Sequence, residues 1–275
     1  MRFDTCTTVS SLGEFRSDPG VGGAWTGADG GPNVTDASTQ LRVPFVYPGS
    51  GRPLGGNRVV AAGDGVSSAI GEGYALFCWG RNDHGQVGVA DTLPHNAPQD
   101  TWLRGVVHVS IHMQNTCALL SGGDAYCWGS DVGGEPSALG PRKVVVPGPV
   151  SLLSVAGAGG RAAFLFLLRD GTLYGLGDNT DFLARGVEGL SVSLPVLLPN
   201  VFHDDVQLSA SGRRACIVSS TGMRCWGADY GTAQEPRERR LESAPGMPTQ
   251  IAIAEDHACI RLSSNQAYCR GVNTC

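Results

Sequence analysis

Cysteine is the residue type with the widest choice of chemistry in this chain of 275 residues, which contains nine cysteines. A thiol can form a disulfide, bind zinc, or pack as a small apolar group. Six of the cysteines form three couples whose members stand nine or ten residues apart, a spacing typical of opposed positions on a β-hairpin. The couples are Cys117 with Cys127, Cys216 with Cys225, and Cys259 with Cys269.

Disulfide bonding is the favoured interpretation of these couples, because opposed residues of an antiparallel pair lie close enough to be bridged. Buried free thiols are the main alternative. Zinc is a weaker one, because the familiar closely spaced Cys-x-x-Cys and Cys/His clusters are missing from the sequence. Cys6, Cys78 and Cys275 are left without a matching cysteine.

Other chemistry finds little support in the residue pattern. The sequence contains no Gly-x-Ser-x-Gly elbow, no Walker phosphate loop and no His-Glu-x-x-His helix. His108 and His112 lie in an apolar strand pattern, so we expect them to be structural rather than metal ligands. We therefore expect no enzyme activity, no catalytic residue, no metal site and no cofactor.

Composition excludes several further classes of protein. The chain has 40 glycines and 16 prolines, which argue against a helical bundle. Its hydrophobic content of 41% is too high for a disordered chain. The net charge of −5 gives no basic footprint for nucleic acid, and we expect no membrane span because no long apolar run occurs.

An aromatic-x-Gly signature recurs along the chain, with successive glycines 49, 48, 50 and 44 residues apart. The signature residues are Trp79, Gly80, Trp128, Gly129, Gly177, Trp226, Gly227 and Gly271. Before each signature comes a short apolar strand and a turn of Gly, Asp or Ser residues. Repeated hairpins of about 50 residues predict an all-β fold, a β-propeller with about five recognisable blades.

The hairpins predict which residues face one another. Cys78 should face Ser68, which explains why it has no partner. In the unit of Gly177, the positions that match a couple are assigned to Ala163 and Gly175, so both cysteines are missing together. Joint loss is what a bonded pair predicts. We expect the recurring tryptophans to pack between blades, with a ligand-binding ring as the alternative.

The repeat resembles the regulator of chromosome condensation repeat family, in its bacterial-type, cysteine-containing form. Residues 77–88, Phe-Cys-Trp-Gly-Arg-Asn-Asp-His-Gly-Gln-Val-Gly, carry the resemblance most clearly, followed by 117–129. It covers about residues 44–273, although the unit of Gly177 lacks Cys and Trp and Arg270 stands where Trp is expected. We therefore divide the chain into a degenerate hairpin and loop, 1–43, and a repeat propeller, 44–275.

The resemblance implies a propeller of about seven blades, so we expect a fragment or an open form, with closure by fewer blades or pairing with another chain as the alternatives. It also implies a non-catalytic scaffold that binds a protein partner through its inter-strand loops, with residues 89–105, 130–148, 178–205 and 228–248 as candidate contacts. The alternative is guanine-nucleotide exchange on a small GTPase. Paired cysteines predict an extracellular, periplasmic or cell-surface location, although no signal peptide is visible in this chain.

Overall fold

A computed structural model describes residues 60–132, 135–158, 160–179, 191–201, 207–219, 222–227, 237–238, 248–254, 257–264 and 266–271. These residues form five antiparallel sheets that follow one another along the chain. Their regular secondary structure is β, apart from a three-residue 3-10 turn at Glu72–Tyr74. The all-β prediction is therefore confirmed, and each sheet corresponds to one repeat unit, called a blade below.

The first two blades have four strands each, and neighbours in sequence are neighbours in the sheet. Blade 1 contains β1 (Val60–Ala62), β2 (Val66–Ile70), β3 (Leu76–Gly80) and β4 (His95–Asp100). Blade 2 contains β5 (Val106–His112), β6 (Asn115–Leu120), β7 (Ala125–Val132) and β8 (Glu135–Val144). The predicted hairpins are therefore the second and third strands of each blade.

Blades 3 to 5 repeat this order. Blade 3 contains β9 (Val150–Ala158), β10 (Arg161–Leu168), β11 (Thr172–Asp178) and β12 (Ser191–Val201). Blade 4 contains β13 (Gln207–Ser211), β14 (Arg214–Ser219), β15 (Gly222–Gly227) and β16 (Arg237–Glu238). Blade 5 contains β17 (Pro248–Ile253), β18 (His257–Leu262) and β19 (Ala267–Gly271).

Within the part of the chain that the structure describes, the fourth strand of a blade has a paired neighbour on one side only, and three of these strands contain proline. Pro98 lies in β4, Pro136 and Pro141 lie in β8, and Pro195 and Pro199 lie in β12. Proline lacks the backbone N–H that a further strand would need as a donor. These outer edges are therefore poorly suited to pairing with another strand.

The hydrophobic core lies between blades rather than within one sheet. The described residues form four buried clusters, each of which joins two successive blades. The cluster between blades 2 and 3, for example, includes Leu119 and Val144 on one side and Phe164 and Phe166 on the other. Because successive side chains of a strand point to opposite faces, blades 2 to 4 each contribute one face to the cluster before them and one to the cluster after them.

Candidate functional site: an interaction surface on locked blades

In the Cys-Trp-Gly signature, the Cys and Trp side chains pack against different neighbouring blades. Cys127 lies in the cluster shared with blade 3, whereas Trp128 lies in the cluster shared with blade 1. Blade 4 repeats the arrangement, with Cys225 facing blade 5 and Trp226 facing blade 3. Trp128 and Trp226 are almost fully buried. The two tryptophans therefore pack between blades, as expected, and do not form an exposed ligand-binding ring.

Each predicted couple of cysteines is directly opposed in register and joined by a disulfide. The bonds are Cys117–Cys127, Cys216–Cys225 and Cys259–Cys269, and in each the two Cα atoms are 4.1 Å apart. Cys117 and Cys127 are fully buried and Cys216 and Cys225 nearly so. The first two bonds therefore belong to the packed interface with the following blade.

The register corrects one assignment made from the sequence. Gly175 in blade 3 is opposed by Leu165, whereas Ala163 is opposed by Gly177. The turn is tight, since the N–H of Gly171 donates to Leu168 O over 3.0 Å. Positions ten residues apart are therefore opposed, as in blade 2. The position that matches Cys117 is Leu165, and neither Leu165 nor Gly175 is a cysteine.

Cys78 is a buried free thiol in blade 1 and pairs in register with Ser68, as the sequence predicts. Burial raises its pKa well above the ordinary value, because the thiolate would lose its hydration. Both side chains are fully buried, and Ser68 Oγ donates to Ala61 O over 3.4 Å. A buried, protonated thiol is unreactive, so Cys78 is not a candidate nucleophile.

The loop after the signature of blade 1 fastens that blade to Trp128. The carbonyl of Gln86 accepts the indole N–H of Trp128 over 2.9 Å and the hydroxyl of Thr116 over 2.9 Å. Gly88 lies against the indole, where a Cβ would approach its Nε1 to 2.6 Å. Asn82 shapes the loop by accepting the N–H of Val87 over 2.8 Å. The Asn-x-x-Gly-Gln-Val-Gly motif is thus a contact between blades.

A second contact, which sequence analysis missed, joins the first strands of successive blades. Among the described strands β9 pairs with β10 alone, and side chains of β5 satisfy backbone groups on its other edge. The contacts are His108 Nε2 to Leu153 O at 3.1 Å, Val155 N to Ser110 Oγ at 3.0 Å, and His112 Nε2 to Gly157 O at 2.8 Å. Because both carbonyls accept, each histidine ring carries hydrogen on Nε2. The two histidines are structural, as expected.

The serine of this contact recurs in the following blades. Ser154 Oγ accepts the N–H of Ala210 over 3.0 Å, and Ser209 Oγ accepts the N–H of Ile253 over 3.1 Å. Ser110, Ser154 and Ser209 are called the inter-blade seam below. All three occupy one register position, opposite Cys117, Leu165 and Cys216 respectively. A serine at this position in successive repeats is the signal from which the seam could have been found.

The exposed apolar side chains lie mainly on the connections between strands. Of the six large apolar residues that are exposed in the described ranges, four belong to connections: Tyr74, Leu93, Trp102 and Val145. Trp102 and Val145 are the most exposed, at 79% each. Three of these four fall within the predicted contact loops 89–105 and 130–148. The predicted loops are not loops throughout, because 89–105, 130–148 and 178–205 contain the fourth strands β4, β8 and β12. Most of 228–248 lies outside the described residues.

Trp102 lies at the rim of an open groove between blades 1 and 2. Residues 88–90 and 101–102 form the blade 1 wall, and residues 138–142 form the blade 2 wall. The groove has a volume of about 490 Å³. The N–H of Ala90 donates to Leu139 O over 2.9 Å and so fixes the two walls to each other. The exposed Trp102 thus borders a concave surface between blades 1 and 2.

Within the described ranges, no group of three or more His, Cys, Asp or Glu side chains is arranged to hold a metal ion. Those ranges also contain no helix that is long and apolar enough to cross a membrane.

Comparison with known proteins identifies the repeat. The sequence profile of the regulator of chromosome condensation (RCC1) repeat matches residues 75–119, which extend from β3 to β6. A probable E3 ubiquitin-protein ligase, HERC6 of Homo sapiens, is 32% identical over 44% of this chain and 13% of its own length. The RCC1 domain-containing protein RUG3, mitochondrial, of Arabidopsis thaliana is 24% identical over 75% of this chain and 49% of its own.

Solved structures agree on the fold. The crystal structure of Prp20p from Saccharomyces cerevisiae, whose binding to Gsp1p and histones is described with it, aligns with a TM-score of 0.63. Its identity is 19%, and the alignment covers 77% of this chain and 56% of that one. The five described sheets thus have the fold of propeller blades, and residues 75–119 match the RCC1 repeat. The chain spans about half or less of the length of the two curated relatives.

Proposed function

We propose that this chain is a non-catalytic β-propeller scaffold that binds a protein partner through the connections between its strands. The observation that carries the proposal is the placement of exposed apolar side chains on those connections, above all Trp102 and Val145. The aromatic and cysteine side chains of the signature are used in packing between blades. A rigid scaffold with variable exposed loops is the usual basis of recognition by repeat proteins.

The RCC1-like fold supports a role as a protein-binding scaffold, but it is also compatible with a guanine-nucleotide exchange factor for a small GTPase. Nucleotide exchange is therefore the alternative function. An exchange factor would need a small GTPase and a reducing compartment such as the cytosol or nucleus. Three buried or part-buried disulfides favour an oxidising environment instead. We therefore place the protein at a cell surface, in a periplasm or outside the cell, and assign residues 44–275 to the propeller that presents the contact loops.

Photo-crosslinking from defined positions tests the scaffold proposal. A photoreactive amino acid is introduced at Leu93 or Val145, which are exposed on connections, and as a control at Arg261, which is exposed on strand β18. The purified variants are irradiated in the extracellular or periplasmic fraction of the source organism. We expect one partner to be captured from the connection positions and not from Arg261. Equal capture from all three positions would contradict binding through the loops.

A nucleotide-release assay separates the alternative. The full chain is added to small GTPases loaded with a fluorescent GDP analogue, with a known exchange factor as the positive control. We expect release at the intrinsic rate. Accelerated release by this chain, together with reduced cysteines, would replace the scaffold proposal with nucleotide exchange.

A further inference from the structure

One face of blade 1 repeats, residue by residue, the face with which blade 2 packs against blade 1. The strand registers align the two faces with a constant offset of 49 residues, as from Trp79 to Trp128. The face of blade 1, called the open face below, consists of Val60, Ala62, Ser67, Ala69, Phe77 and Trp79. Its counterpart in blade 2 consists of Val109, Ile111, Thr116, Ala118, Tyr126 and Trp128.

The two faces differ in burial. Blade 1 covers the face of blade 2, where Val109 is 1% exposed and Trp128 is fully buried. On the open face, Val60 is 60% exposed and Trp79 is partly exposed. Among the described residues, no buried cluster includes a member of the open face. A terminal repeat that borders water needs a polar outer face. The apolar open face therefore indicates a covering element.

Two polar groups of the open face indicate what that element must supply. In blade 2, the hydroxyl of Thr116 and the indole N–H of Trp128 both donate to Gln86 O, and the two residues are paired in register. Ser67 and Trp79 are paired in the same way. Within the described ranges, neither of these two side chains has a hydrogen-bond acceptor. The open face thus offers two donors to one loop carbonyl.

A further repeat unit would supply both the carbonyl and the apolar cover. For blade 2, the carbonyl belongs to the loop that follows Gly80, the signature glycine of blade 1. The apolar cover includes Leu76 and Cys78, which lie on the strand that ends at that glycine. The third strand of one blade and the loop after it therefore cover the next blade together.

The sequence before β1 contains the features of such a unit. Fifty-nine residues precede Val60, which is somewhat more than one repeat. Trp25 and Gly27 repeat the aromatic and glycine of the signature, and Gly27 lies 53 residues before Gly80. The next residues, 28–31, are Ala-Asp-Gly-Gly, and they match the Ala-Asp-Tyr-Gly of residues 228–231 after the signature of blade 4.

Two prolines indicate the fourth strand of this unit. Pro44 and Pro48 lie 17 and 21 residues after Gly27. In blade 3, Pro195 and Pro199 lie in β12, 18 and 22 residues after its signature glycine at position 177. Proline is tolerated in an outer strand because the missing N–H faces away from the sheet. The repeat pattern thus continues on both sides of residue 43, where the sequence analysis placed the start of the propeller.

We propose that residues 25–48 form the third and fourth strands of a further blade, which packs on the open face of blade 1, and that a carbonyl of its loop accepts the hydrogen bonds of Ser67 and Trp79. The proposal extends the propeller to residues before position 44. It goes beyond the proposed function, because it concerns packing within the chain rather than a partner. Its failure would therefore leave the proposed contact loops untouched.

Exchange of the indole N–H groups tests whether the open face is covered in the full chain. Protein labelled with 15N is transferred to D2O, and the five indole signals are followed by NMR, with Trp79→Phe to assign the signal of interest. We expect the indole of Trp79 to exchange at least roughly tenfold more slowly than that of Trp102, which is 79% exposed. Equal rates for these two indoles would overturn the proposal.

Substitution of Gly27 tests which segment provides the cover. The four described signature glycines have φ between +92° and +120°, so alanine at an equivalent position would be strained. In Gly27→Ala, the indole of Trp79 should exchange at least roughly tenfold faster than in the wild type. Gly51→Ala is the matched control, because position 51 lies between Pro48 and β1 and should leave the rate unchanged.

The Trp128 indole, which is buried between blades 1 and 2, reports whether the described blades remain folded in Gly27→Ala. Its protection should persist in both variants. Unchanged protection of the Trp79 indole in Gly27→Ala would show that another element covers the open face, and would overturn the proposal.

Photo-crosslinking from Val60 identifies the covering segment directly. A photoreactive amino acid replaces Val60 or, as a control, Ser121, which is exposed on the turn after β6. An equimolar mixture of 15N-labelled and unlabelled protein is irradiated, digested and analysed by mass spectrometry. We expect links from position 60 to residues 25–48 of the same copy, and no such links from position 121. Links between labelled and unlabelled chains would assign the open face to a second copy and overturn the proposal, as would the lack of any link to residues 25–48.

Discussion

Removing one serine of the inter-blade seam should loosen the contact between two blades. Ser110 is 6% exposed, and its hydroxyl is the acceptor for the N–H of Val155, which is 1% exposed. Ser110→Ala leaves that N–H buried, and an alanine cannot replace the acceptor. An unsatisfied buried donor costs about 1–3 kcal/mol, so the free energy of unfolding should fall by that amount.

Amide hydrogen exchange measures this effect at the site itself. In Ser110→Ala, the N–H of Val155 should exchange about 5- to 150-fold faster, which corresponds to the same 1–3 kcal/mol, if it exchanges through local opening of the seam. Ser121→Ala is a suitable control, because Ser121 is exposed on the turn that follows β6 in the same blade. Chemical unfolding, followed by tryptophan fluorescence, gives the global free energy for both variants.

A stability loss in Ser110→Ala that matches the control within about 0.5 kcal/mol, with unchanged exchange at Val155, would refute the reasoning. It would mean that water or another group satisfies this N–H as well as the hydroxyl does.

Three further predictions concern the disulfide position, the signature glycine and the Trp102 turn. Ser68→Cys should form a fourth disulfide with Cys78, because this pair has the register of the three bonded couples. The mass should be two hydrogens below that of the reduced variant, and the free energy of unfolding should rise by about 2–3 kcal/mol. Ser67→Cys is the control, since residue 67 is opposed by Trp79 and should leave Cys78 free. Gly129→Ala should destabilise blade 2 severely, since φ is +120° and a Cβ would collide with Gln114 O. Gly122→Ala is the control, because a Cβ there meets open space, and it should leave the midpoint of thermal unfolding unchanged. The hydrogen bonds from Arg104 lower the pKa of Asp100 below its ordinary value of 3.8. The ionised carboxylate therefore stabilises the turn fully above pH 3.8, and this stabilisation is lost as the pH falls through the lower pKa of the folded state. Trp102 resonances that shift above pH 5 would contradict this order.

The hairpins were accessible from the sequence because their signals are local. Turn length fixes which residues are opposed, so the spacing of Cys117 and Cys127 was enough to predict their pairing. The same rule, applied to the unit of Gly177, gives Leu165 opposite Gly175. The assignment to Ala163 was wrong because it used a separation of twelve rather than the ten that the tight turn at Gly171 allows.

Contacts between blades were harder to predict because they depend on the distance and rotation of one sheet relative to the next. Ser110 and Val155 are 45 residues apart, and nothing local to either shows that β5 and β9 lie side by side. The groove has the same origin, since the connection at residues 88–90 meets residues 138–142 of β8 only when blades 1 and 2 are packed together. Trp102 could be located on a candidate contact loop, but its exposure and positive φ follow from the fixed turn.

Disulfide bonding supports both the blade register and the proposed oxidising location, so it is the most direct test of this account. The native protein is denatured without reductant, alkylated, digested with protease and analysed by mass spectrometry. We expect Cys78 to be labelled and the peptides of Cys117–Cys127, Cys216–Cys225 and Cys259–Cys269 to remain linked in those pairs. Labelling of all nine cysteines would contradict the account, remove the argument for an exported scaffold and favour nucleotide exchange instead.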